Sequence, residues 1–125
     1  MIYRYRQSRP GGADCVAYPR ALRVVWPYDA LVRKGMPPVE DNKLQVGFED
    51  AIVQLCDAPH GYLMLVFTGN GRKEWLFYVG DIDRWMATFN ASLSGHSPYP
   101  LQIENWPDAE WSTWQNFVDG VADGS

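Results

Sequence analysis

The stretch from Tyr62 to Val79 constrains this chain most. Tyr-Leu-Met-Leu-Val-Phe-Thr runs into Gly-Asn-Gly-Arg-Lys-Glu and then Trp-Leu-Phe-Tyr-Val. Two runs of apolar, β-forming residues flank an Asn-Gly dipeptide, the strongest short-range signal for a β-hairpin. With Asn70 and Gly71 as the loop, Val66 faces Trp75, Met64 faces Phe77 and Tyr62 faces Val79. On the reverse side Leu65 faces Leu76, Leu63 faces Tyr78 and Phe67 faces Glu74. A sheet covered on one side alternates apolar and polar residues. This hairpin is apolar on both sides, so its second face needs an occupant. Three occupants suit it: the terminal helix or N-terminal arm, a second copy, or a ligand or partner protein.

The remaining elements fall around the hairpin. Leu22, Val24 and Trp26 alternate along a strand from Arg20 to Tyr28. Gly35-Met36-Pro37-Pro38 forms a loop. A helix is expected from Val39 to Asp57, with an apolar stripe of Leu44, Phe48, Ala51, Ile52 and Leu55. Asp81 caps a second helix carrying Ile82, Trp85, Met86, Phe89 and Leu93, which Gly95 ends. Leu101 to Glu104 reads as a short strand. Pro107-Asp108 opens a last helix with Trp111, Trp114, Phe117, Val118 and Val121 on its apolar side. Ile2, Tyr3 and Tyr5 suit a short strand or arm.

This order predicts an α+β fold, a ferredoxin-like β-α-β-β-α-β sandwich. It has a four-stranded antiparallel sheet, two helices on one face and an additional C-terminal helix. With 125 residues, 46% of them hydrophobic, the chain suits one domain. Residues 1–19 form an arm, 20–118 the core and 119–125 a frayed tail.

Charge divides the chain. Residues 1–34 carry a balance of +5 and the rest −9, giving the net −4. Such a basic head on an acidic body reads as self-complementary surfaces. The overall field disfavours nucleic acid. Cys15 and Cys56 belong to no metal or redox motif, which fits free thiols in a reducing cytoplasm. No signal peptide and no membrane-spanning run is legible. A soluble cytoplasmic protein is expected.

No catalytic pattern stands out. His60 and His96 lie in separate loops without metal-ligand spacing or a nucleophile motif. No metal and no cofactor is expected. Asp81 and Asp83 read as helix capping and dipole stabilisation. Gly69-Asn70-Gly71-Arg72-Lys73 reads as a type I′ turn, with an anion cradle as the competing reading. Arg72 separates the two, because a turn needs no cation there. Trp111 and Trp114 suit either docking of the last helix or an interface hot spot.

Several of these segments together resemble a known bacterial family. They are Gly35-Met36-Pro37, Phe48-Glu49-Asp50-Ala51, Thr68-Gly69-Asn70-Gly71-Arg72-Lys73-Glu74-Trp75, Phe77-Tyr78 and Asp108-Ala109-Glu110-Trp111. The family is domain of unknown function 695, and the similarity spans about Tyr18 to Val118. Asp108-Ala109 stands where members often carry Asp-Pro. A similar domain is in some proteins joined to one resembling the regulator of ribonuclease activity B. The resemblance thus implies a regulatory or protein-binding module and names no substrate.

The expected function is therefore a regulatory or protein-interaction module without catalysis. Its partner is a protein or a second copy bound through the sheet face. The alternatives are a small-molecule or anion-binding domain using Arg72, Lys73 and Tyr78, and an enzyme. Candidate binding residues are Arg72, Trp75, Tyr78, Glu49 and Trp111, with Glu49 either on a solvated helix face or paired with Arg72.

Overall fold

The structure is a computed structural model and describes residues 2–11, 16–29, 36–96 and 98–122. Cys15, Gly35 and Ser97 lie outside the described residues, as do residues 123–125 of the expected tail. The elements are β1 (Ile2–Tyr5), β2 (Arg20–Pro27), α1 (Val39–Ala51), β3 (Gly61–Gly69), β4 (Arg72–Val79), α2 (Ile82–Ser92), β5 (Gln102–Pro107) and α3 (Ser112–Ala122). A 3-10 turn, Val53–Cys56, follows α1.

The α+β class stands, but the sheet has five strands rather than four. All pairings are antiparallel, in the order β1-β3-β4-β2-β5. The extra strand is β1, from the start of the expected arm, laid along β3 with Tyr3 opposite Phe67 and Tyr5 opposite Leu65. The topology is accordingly not the plain ferredoxin-like sandwich expected.

Asn70 and Gly71 form the hairpin turn, both with positive φ (53° and 82°). This is the backbone that Asn-Gly accommodates at least steric cost. Near the turn the expected register holds, with Val66 opposite Trp75, Leu65 opposite Leu76 and Phe67 opposite Glu74. Beyond it the register shifts between Leu63 and Leu65. Leu63 then faces Phe77, Tyr62 faces Tyr78 and Gly61 faces Val79. One extra residue exchanges the faces of everything after it. Met64 and Tyr62 therefore join the opposite face from Val66.

Each sheet face has its own core. On one, Leu22, Val24, Trp26, Val66, Trp75, Phe77 and Val79 pack with Phe48 and Ile52 of the α1 region and with Trp85 and Phe89 of α2. On the other, Ala21, Tyr62, Met64, Leu76 and Tyr78 pack with Trp111 and Trp114. The chain's own C-terminal segment is thus the occupant of the second face. Tyr3 and Tyr5 complete the cover by packing their rings against Phe117 (4.9 and 5.0 Å between centroids).

Helix boundaries differ where propensity was misleading. α1 ends at Ala51 rather than Asp57, and its buried positions are Gln45 and Phe48, while Leu44 is exposed. Asp81 caps α2 as expected, accepting from the Arg84 amide at 3.0 Å. α3 starts at Ser112, not at Asp108. Asp108 still caps it, accepting from the amides of Ser112 (2.8 Å) and Thr113 (3.0 Å). Trp111, expected within the helix, precedes it with φ at +58°. Its indole is held by Tyr78 and by the Tyr18 carbonyl, which offsets the strain of a left-handed bulky residue.

Candidate functional site

The candidate residues separate into three places. Tyr78 and Trp111 lie together under α3. Their rings stack at 4.6 Å, and the Tyr78 hydroxyl donates to Asp108 at 2.6 Å while accepting from the Trp114 amide at 3.2 Å. Burial, then the bond to Asp108, pushes the Tyr78 phenol up. Both residues are fully buried and hold α3 on the sheet. Arg72 stands apart. It bonds Glu74 at 3.0 Å and lies over the Phe67 ring.

Glu49 and Trp75 meet on the other face. The expected pairing of Glu49 with Arg72 is corrected. Arg72 and Lys73 point to opposite sides of β4, and only Lys73 shares the side that carries Trp75 and α1. The Lys73 ammonium lies 3.5 Å from Glu49 Oε1. Trp75 Nε1 donates to Glu49 Oε2 at 3.0 Å, and the Arg4 guanidinium donates to the same oxygen. Burial alone would raise the Glu49 pKa. The Trp75 hydrogen bond and the charges of Lys73 and Arg4 outweigh it and hold the carboxyl below its usual value.

Beside this cluster opens a cleft of about 390 Å³. Trp75, Leu63, Ile52 and Cys56 line it together with Arg4, Glu49 and Asp50, and Val46 and Val53 stand beside them. Val46 is 50% exposed and Val53 67%. Burial, then Asp57 and Glu49, pushes the Cys56 thiol up to about 11, so it is neutral at ordinary pH. The carboxylate is committed to three donors and the thiol is protonated.

Arg4 and Arg6 were legible only as part of a basic head. The structure makes them the straps of β1. Arg6 donates to the carbonyls of Leu63 (2.9 Å) and Cys56 (3.1 Å) and to Asp57 (2.6 Å). Arg23 likewise pairs with Glu104, so basic residues of the head do meet acids of the body. The signal was the alternation Tyr3-Arg4-Tyr5-Arg6, which sends tyrosines to one face and arginines to the other.

A second cleft, of about 500 Å³, lies at the start of α2 and brings His60 together with Asp81, Arg84, Tyr18 and Thr88. His96 is elsewhere, its ring nitrogen 3.0 Å from the Tyr99 hydroxyl. Among the described residues, no three of His, Cys, Asp and Glu gather as a metal site. Nor is any described helix long and apolar enough to cross a membrane.

A model of a family of unknown function (DUF695) matches residues 4–118. The chain belongs to this family. The match takes in Arg4, Glu49, Lys73 and Trp75, so the whole cluster falls inside the family domain. No curated protein and no solved structure matches the chain.

Proposed function

We propose that this DUF695 domain is a non-catalytic protein-binding module, and that it docks its partner on the outer flank of α1 and the cleft beside it. The observation that carries this reading is the pair Val46 and Val53, half or more exposed at the cleft. Two exposed β-branched side chains beside an apolar hollow favour burial by another molecule. The committed Glu49 and the protonated Cys56 support binding over catalysis. The sheet face is filled by α3, which moves the docking surface to α1. Four of the strands, β2 to β5, lie in the order β3-β4-β2-β5, which supports reading them with α1 and α2 as a ferredoxin-like core carrying an added strand and helix.

Affinity capture from the native host tests the proposal, with a Val46→Asp/Val53→Asp double variant as comparison. Both positions are exposed, so neither substitution enters the core. A protein retained by the wild type, lost by the variant and rebinding as a purified pair supports the reading. Equal retention by both overturns it.

A second reading rests on the polar cleft. His60 and Arg84 bear on a hollow large enough for a small anion, and neither side chain is engaged in a hydrogen bond or ion pair among the described residues. Thermal shift with inorganic phosphate and small carboxylates, wild type against Arg84→Ala, tests it. A melting temperature unmoved by every compound removes its basis.

A further inference from the structure

We infer that the segment docking on α1 is a basic amphipathic helix; this rests on the protein-binding reading above. The first ground is shape. Val39, Val46 and Val53 are 56%, 50% and 67% exposed and recur every seven residues. Seven residues are close to two helical turns, about 10 Å, so the first two form a line along one side of α1; Val53, in the 3-10 turn beyond it, lines the same cleft as Val46. Such a line receives the apolar stripe of a second helix, whose side chains repeat at the same interval. The cleft beside Val46 and Val53 gives one larger side chain of that stripe a place to bury.

The second ground is charge. α1 carries Glu40, Asp41, Glu49 and Asp50 against Lys43 alone. Glu49 is paired with both Arg4 and Lys73, so the four acids of α1 stand against three cations, Lys43 included, and the flank keeps a balance of −1. Glu40, Asp41 and Asp50 form no ion pair among the described residues. Asp50 stands in the last turn of α1, which contains no basic residue, and it lines the same cleft as the valines. An anion at the negative end of a helix is destabilised by the aligned peptide dipoles. A partner lysine or arginine set next to an apolar side chain relieves that repulsion as the valines are buried. A second copy of this chain would bring a second acidic α1 into contact, and like charges across an interface disfavour it.

Anisotropy titration of fluorescent helical peptides tests this. One peptide of about 16 residues carries leucines along one face and lysines elsewhere; its twin carries glutamates in place of the lysines. The protein is used as wild type, Val46→Ser/Val53→Ser, which removes the apolar contact without adding charge, Asp50→Lys and Asp83→Lys, the last an exposed charge on α2 that controls for net charge. The basic peptide is expected to bind the wild type at least about tenfold tighter than the acidic one. Asp50→Lys should weaken it several-fold more than Asp83→Lys, and the valine variant should abolish it. Acidic binding as tight as basic, still lost in the valine variant, overturns the charge inference and leaves the docking surface standing. Equal loss in Asp50→Lys and Asp83→Lys overturns it as net-charge attraction. Basic binding that survives the valine variant overturns it, and so does binding of neither peptide. A wild-type dimer in sedimentation, broken by the valine variant, overturns it in favour of a second copy.

Discussion

Trp75 Nε1 and Glu49 Oε2 are 3.0 Å apart, and this bond ties the centre of the sheet to α1 at the edge of the cleft. The indole is fully buried, so its N–H has no water to turn to. Removing the acceptor leaves that donor and the nearly buried Lys73 unsatisfied. Glu49→Ala is expected to cost about 2 kcal/mol, while Glu49→Gln keeps an acceptor for Trp75 and costs about half as much. Urea unfolding separates them. Equal losses would mean that the charge and not the indole bond carries the stability.

Acid should weaken the fold through two carboxylates. Glu49 and Asp108 are both held below their ordinary values, and in each case burial is outweighed. For Glu49 the Trp75 bond and two cations do this; for Asp108 it is the bonds from Tyr78 and from the Thr113 and Ser112 amides. A depressed folded pKa contributes stability above the unfolded value and loses it as pH falls through the folded value. Stability should thus begin to fall as pH drops toward about 4, where unfolded carboxyls titrate, and continue below it. Unfolding free energies from pH 7 to 2.5 should show a shallower acid slope for Asp108→Asn than for the wild type. A slope unchanged in both Asp108→Asn and Glu49→Gln would place the acid sensitivity elsewhere.

Arg6 is expected to matter through its shape. Its guanidinium reaches two backbone carbonyls and one carboxylate, contacts that need a planar fork. Asp57 is largely exposed, so most of the effect belongs to the carbonyls of Leu63 and Cys56. Arg6→Ala should destabilise by about 2 kcal/mol, and Arg6→Lys should recover less than half. Amide exchange at β1 would accelerate in both. Full recovery by lysine would show that charge alone suffices.

Gln45 offers a change in the opposite direction. Its side chain is fully buried, and neither amide atom has a hydrogen-bond partner among the described residues. Gln45→Met keeps the length and removes the unsatisfied polar atoms, so it should stabilise by about 1 kcal/mol. A lower melting temperature for Gln45→Met than for the wild type would refute this.

Legibility followed the strength of local chemistry. Asn70-Gly71 announced its turn because few residue pairs accept positive φ twice, and Asp81 announced α2 because a free carboxylate meets free amides. The register shift at Met64 left no such mark. Leu, Met and Leu are alike in kind, and an extra residue among them changes no pattern until the faces are known. Leu44 looked like a core position of α1, and tertiary packing chose its neighbour Gln45 instead. For the site, Glu49 and Trp75 were legible as residues but not as a pair. Strand parity alone favours Lys73 over Arg72, since Lys73 lies two residues from Trp75 and shares its face. The long-range strap from Arg4 joins positions 45 apart, beyond any periodicity.

Cys56 gives the last test, and it bears on the binding reading directly. Its thiol is pushed up to about 11 by burial first and by Asp57 and Glu49 next. An ordinary free thiol titrates near 8.5, so at pH 8 the folded protein holds a thiolate fraction lower by roughly two orders of magnitude. Iodoacetamide at pH 8 should therefore alkylate Cys56 at least about a hundredfold more slowly in the folded protein than in urea, read by peptide mass spectrometry so that Cys15 is followed separately. Asp57→Asn removes one of the neighbouring negative charges and should speed the folded reaction modestly. Alkylation of folded Cys56 as fast as of the unfolded chain would mark an ordinary thiol and remove one support of the binding reading; alkylation faster than that would mark an activated thiol, and the non-catalytic reading would then fail at the cleft itself.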